Sequence, residues 1–280
     1  MIRNIDPRIS KSRALLQNPY AHLSGSGEYE AILPVIEQPL IDAAQVMNGY
    51  RRGRPFAKRD LELIVRTLHR LMWMHREKLL GTAHVDPAEI VDPALALKAL
   101  GYRVVEHETL GEHAAGKDTY EVAGLMDRDH GEVHISRHFD LWSRNFTAAH
   151  ELGHALLHAG SGLHRDRAPD GSAARSRDPQ EREADQFAGY FLLPEKLVRA
   201  AFLNRFLAAP FELTEATAFA LASEPLAQLR RQCRSERDLS RRLASTHYYN
   251  SRHFRSLDEK FGVSVEVMAI RLEELGLVGF

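Results

Sequence analysis

In the stretch "FTAAHELGHALLH", two histidines four residues apart bracket a glutamate, and the chemistry this offers is that of a metal held on one face of a helix. At 3.6 residues per turn His150 and His154 project from the same side, one turn apart, so both imidazoles can grip one zinc ion. Glu151, rotated by one residue, cannot reach the same coordination point but can stand beside the attacking water as general base. A bare H-E-x-x-H arises by chance in roughly one chain in fifteen of this length and composition, so its surroundings decide. Gly153 leaves room for a neighbouring element or for the water, where a surface helix would gain from almost any other residue. The apolar flanks put the histidines on a mostly buried helix, where imidazoles without partners are costly.

A catalytic zinc takes three protein ligands and keeps one position open. His158 lies about 12 Å along the helix axis from His150 at 1.5 Å per residue, too far to share the ion, and reads as a structural residue or a partner of a ligand. The third ligand must come from elsewhere, and "EREADQFAGYFLLP" offers it. There Glu181 and Asp185 form an i, i+4 pair beside Ala184 and Ala188, small residues that let another helix come close. Glu181 can be the third ligand, and Asp185 can accept a hydrogen bond from the far nitrogen of a ligating histidine, fixing its tautomer. Glu183 points roughly the other way on the helical wheel and reads as solvated.

The elements that must position these residues are legible from periodicity. From Lys58 to Leu80, Leu61, Ile64, Val65, Leu68, Leu71, Met72 and Leu79 fall at helical spacing, and the Met and Trp residues there read as core. A short helix comes next at "PALALKALG", with Gly101 as its stop. "YRVVEH", "EVAGLMD" and "GEVHIS" read as strands, the last two as a hairpin around "RDH", with "ETLGEHAAGKDTY" between them as a loop. Ser143 is a reasonable N-cap for the histidine helix, which runs through Leu157. "HAGSGLHRDRAPDGSAARSRDP" reads as a long loop leading to a helix that begins near Asp178 and Pro179.

With 280 residues, 44% hydrophobic and 27% charged, the chain buries a proper core and needs no metal merely to fold. Its apolar runs are far short of a bilayer span, and its start lacks an apolar signal region, so a cytoplasmic protein without a membrane partner is the expectation. A formal charge of −1 gives no global field for nucleic acid. Cys233 is the single cysteine, so any metal must be held by His and carboxylates.

The two stretches, with the helix and short sheet before them, resemble the ImmA/IrrE-type family of zinc metallopeptidases, a gluzincin-like group, over residues 59 to 200. The resemblance implies that His150, His154 and Glu181 hold one Zn2+ per chain and that Glu151 is the base. It also implies a cytoplasmic protease acting in stress response or mobile elements, whose protein substrate is a helix-turn-helix repressor or an antitoxin-like regulator. The fold class expected is α+β, mostly helical, with a zincin-like core whose small antiparallel or mixed sheet packs on the HExxH helix. The chain divides into an N-terminal extension (1–57), the metallopeptidase-like domain (58–200) and a helical C-terminal region (201–280).

That last region ends in "SLDEKFGVSVEVMAIRLEELGLV", a helix, a turn at Gly262 and a second helix from Ser264. It is helix-turn-helix-like and resembles the sequences C-terminal to the peptidase core in the family. We expect packing rather than DNA reading, because the second helix carries only Arg271 as a base reader against Glu266, Glu273 and Glu274. The Arg-rich "RRQCRSERDLSRR" reads as a solvated helix face. Further expectations are an edge strand around Val133 to Ser136 that aligns an extended substrate, and an oxyanion donor among His247, Tyr248 and Tyr249. The rivals are a DNA-binding or partner-binding regulator in which zinc is structural or sensory, and a small-peptide or amide hydrolase.

Overall fold

The computed structural model describes residues 38–82, 84–115, 118–159, 163–167 and 178–280, with backbone alone at 114, 115, 118 and 163–167. The N-terminal extension is therefore described only from residue 38, and most of the loop before Asp178 lies outside the described residues. A short helix α1 (Ala43–Met47), opened by the Asp42 carboxylate, precedes the first long one, α2 (Lys58–Met74). Leu61, Ile64, Val65, Leu68 and Met72 form its buried stripe, as the spacing predicts. The single helix expected to Leu80 is interrupted at His75, and α3 (Arg76–Leu80) continues beyond it. Trp73 and Met74 are not core: they sit off the stripe and are 36% and 64% exposed. Next, α4 (Pro93–Ala99) starts at Asp92 with proline at its first position and gives way to Gly101 at φ +93°. A Cβ at Gly101 would meet Pro39 Cγ at 2.7 Å, so both conformation and space call for glycine there.

The sheet is mixed, which makes the fold α+β. Strand β1 (Arg103–His107) runs parallel to β4 (Glu132–Ser136), and β4 pairs antiparallel with β3 (Asp118–Asp127). Strand β2 (Glu112–Ala115) and strand β5 (Leu163–Arg167) each pair antiparallel with β3. Three expectations change here. Residues 112–115 form a strand although two alanines beside a glycine carry little strand propensity. Part of the long polar loop is β5, held by pairing with β3 rather than by its own composition. Strand β4 is not an edge: Val133 and Ile135 have partners on β1 and on β3, so its backbone is committed on both sides.

Helix α5 (Leu141–Leu157) lies against β3 and β4, covering the buried Met126, Val133 and Ile135. Its cap is Asp140 rather than Ser143: the Asp140 carboxylate accepts the Ser143 N–H at 2.7 Å. Helix α6 (Pro179–Leu192), opened by Asp178, packs along α5. Gly153 makes that approach close: a Cβ there would stand 3.2 Å from the Ala184 Cα. Phe187, Phe191, Leu152 and Leu156 are buried in this layer, each worth roughly 1.5–3 kcal/mol in area removed from water.

The remaining helices, α7 (Glu195–Phe206), α8 (Glu215–Ala222), α9 (Leu226–Gln232), α10 (Glu236–Ser245), α11 (Leu257–Phe261) and α12 (Val265–Glu274), share one continuous buried cluster with the rest. The turn between α11 and α12 is Gly262 at φ +63°, followed by the Ser264 cap. Arg271 is buried, donates to the Leu193 carbonyl at the end of α6, and lies over the Tyr190 ring. Its guanidinium thus ties the C-terminal region to the end of α6. Arg237 and Arg241 are engaged with Glu266 and Glu273 of α12, so the Arg-rich stretch is in part an interhelical ion-pair face rather than wholly solvated. Among the described residues no helix is long and apolar enough to cross a membrane.

Candidate metal centre

Helix α5 turns its large apolar residues to the core and leaves His150 and His154 6% and 2% exposed in the crease with α6. Their Nε2 atoms face each other at 2.9 Å. The first turn of α6 brings the Glu181 carboxylate to the same point, Oε2 3.3 Å from His150 Nε2 and Oε1 3.5 Å from His154 Nε2. Three donors bound at about 2.0–2.1 Å in tetrahedral array would stand about 3.3–3.4 Å apart. The observed spacings bracket that value, and two imidazole nitrogens with one carboxylate oxygen are a donor set that suits zinc. Among the described residues these three are the group able to hold a metal.

Each histidine must present an unprotonated Nε2, and that depends on what its Nδ1 meets. Asp185 Oδ1 lies 2.9 Å from His150 Nδ1; an ionised carboxylate only accepts, so the hydrogen belongs on Nδ1 and the Nε2 lone pair points to the site. His154 Nδ1 meets His158 Nδ1 at 2.9 Å, and His158 Nε2 lies 3.2 Å from Glu183 Oε2. The other Glu183 oxygen accepts the Phe56 N–H at 3.0 Å. Burial pushes the His158 imidazole below the ordinary histidine range, against an opposing pull from Glu183. Arg128 donates to the carbonyls of His154 and His158, and Gly53 N–H to that of Leu157, which satisfies acceptors at the C-terminal end of α5. Glu183 is thus not solvated. A helical wheel could not place its neighbour, because His158 is the C-cap, with extended backbone at ψ 139°, and has left the cylinder of α5.

Glu151, wholly buried on α5, faces β3. A Cβ at Gly124 would lie 2.4 Å from Thr147 Cγ2 and 2.7 Å from Glu151 Oε1, so only glycine lets the strand cross this close. The β3 register against β5 shifts between Val122 and Gly124, a bulge of the kind that re-aims residues beside active sites. Gly124→Ala is expected to lose about 1–3 kcal/mol through overpacking. Its capacity to take up a metal at His150, His154 and Glu181 should be unchanged, because none of the three is touched. A thermal melt and a metal analysis of the one variant check this; a wild-type melt would refute the close approach.

The expected oxyanion donors lie elsewhere. Tyr249 packs on Phe206 and Phe211, Tyr248 on His253, and His247 pairs with Glu259, all contacts within the C-terminal helices and loops. Gly124, Phe56 and Glu183 are the residues around the site that sequence reasoning misses. For Gly124 a signal exists, a glycine inside an otherwise apolar strand.

Residues 97–218 match the family model described as Peptidase M78, IrrE N-terminal-like domain. That span contains β1 to β5, α5 and α6, hence every residue of the centre except the Phe56 amide and the Gly53 amide. No curated protein and no solved structure matches the chain.

Proposed function

From a chain whose residues 97–218 belong to the Peptidase M78 family, we propose a zinc-dependent endopeptidase built on a zincin-like core. The observation that carries this reading is the convergence of His150, His154 and Glu181 beside a buried Glu151 on the same helix. Zn2+ bound there would supply a Lewis acid for the scissile carbonyl and a lowered pKa for water. Glu151, one residue round the helix from His150, takes the proton of the attacking water and returns it to the leaving amine. Asp185 keeps the His150 ring turned so that Nε2 faces inward. Thr147 and the Gly124 backbone wall off Glu151 and keep its surroundings low in dielectric.

The substrate class we propose is a regulatory protein, a helix-turn-helix repressor or antitoxin-like partner, supported by the likeness of the two motif stretches to that family. Alignment of an extended segment falls to a strand other than β4, whose two edges are occupied. The regulator reading has less support, since the Arg271 it needs for base contacts is buried under α6.

The test is to incubate the zinc-loaded protein with a denatured cell lysate and read new internal N-termini by mass spectrometry. Discrete new termini that vanish with a chelator and return with added Zn2+ are expected. A zinc-loaded protein that yields none would remove the endopeptidase reading.

A further inference from the structure

His158 and Glu183 have no part in the proposed hydrolysis, yet both side chains are largely withdrawn from water, 4% and 14% exposed, and they end on a metal ligand. We propose that they are positioning residues: the chain His154–His158–Glu183, anchored by the Phe56 N–H, dictates which nitrogen of His154 carries its hydrogen. This rests on the metal-site reading.

The reasoning is one of donors and acceptors. Two imidazole nitrogens at 2.9 Å share one hydrogen, so either His154 Nδ1 donates to His158 Nδ1 or the reverse. In the first order His158 carries its one hydrogen on Nε2 and gives it to Glu183, 3.2 Å away, leaving His154 Nε2 bare toward Glu181 and the ion. In the second order His158 Nε2 is bare against a carboxylate oxygen, two acceptors face to face, and the His154 hydrogen points into the metal site. Once a cation lies between His150 Nε2 and His154 Nε2, which face each other at 2.9 Å, Glu183 therefore favours the ligating tautomer. Its own orientation is fixed in turn, because the other oxygen is held by the Phe56 amide.

A nearly isosteric change reverses the chain. In Glu183→Gln the amide oxygen must stay on the Phe56 N–H, which turns the NH2 group toward His158 Nε2. His158 Nε2 becomes the acceptor, His158 Nδ1 the donor, and the hydrogen of His154 moves to Nε2. A merely structural glutamate would not produce that result.

The experiment is a zinc titration in competition with a chromogenic chelator, run on the wild type and on variants of Glu183 and His158. Glu183→Gln is expected to bind zinc about 10–100-fold more weakly, the range typical of lost hydrogen-bond partners of ligands. Wild-type affinity in Glu183→Gln overturns the proposal. Should that variant not fold, His158→Asn and His158→Phe decide: Asn places an oxygen where Nδ1 was and should bind within about threefold of wild type, while Phe shows the full loss. Equal affinity in that pair also overturns it. A wild-type protein that binds no zinc at all would instead remove the metal-site reading itself.

Discussion

Glu151→Gln is expected to bind one zinc per chain with wild-type affinity and to hydrolyse peptides about 10²–10⁴-fold more slowly, the usual worth of a positioned general base. The carboxamide has the shape of the carboxylate, which matters because the space is tight: the Gly124 backbone and Thr147 close on the Glu151 side chain. The variant therefore changes basicity without opening a cavity or moving α5. None of the three ligand atoms belongs to Glu151, so metal content is the control that separates lost chemistry from a lost site. The loss should fall on kcat with KM little altered, since the group acts on a proton in the transition state rather than on bound substrate. Hydrolysis at the wild-type rate with zinc bound would mean that another group takes the proton.

The part of the site that is legible in the sequence is the part that lies on one helix at a time. Spacings of three and four place His150 beside His154 and Glu181 beside Asp185, and small residues at Gly153, Ala184 and Ala188 announce that the two helices meet. The same reasoning fails wherever a neighbour comes from an irregular segment. Glu183 looks solvated on a wheel because its partners are a residue that has just left a helix, His158, and a backbone amide from a distant stretch, Phe56. Periodicity says nothing about either. Strand pairing fails for a related reason: β4 has the pattern of a strand, but whether it is an edge depends on β1, from an earlier stretch of chain, choosing it as a partner. The C-terminal helices are legible as helices, and their turn at Gly262 as a turn. That Arg271 points inward is not, because one arginine among apolar residues looks the same on a wheel whether it meets DNA or a carbonyl.

Glu181→Ala tests whether the Glu181 carboxylate is the proposed third ligand or only a support for the two histidines. Its carboxylate reaches both imidazoles from α6, so removing it leaves a two-histidine clamp on a single helix. Zinc affinity should fall by more than the roughly 10–100-fold that loss of a ligand's hydrogen-bond partner costs, and hence by more than in Glu183→Gln. The metal-free fold should hold, because the Glu181 side chain is partly exposed and the α5–α6 contact is made by Gly153, Ala184 and Phe187. A thermal-shift titration reads both quantities at once. Zinc bound at the proposed site would stabilise the wild-type fold by RT ln(1 + [Zn]/Kd), about 4 kcal/mol at a thousandfold excess over Kd, and raise its melting temperature accordingly. In Glu181→Ala the metal-free melt should coincide with wild type while the zinc-induced rise collapses. If the rise survives, the two histidines bind zinc with a different third partner, and Glu181 is a neighbour of the site rather than a ligand in it.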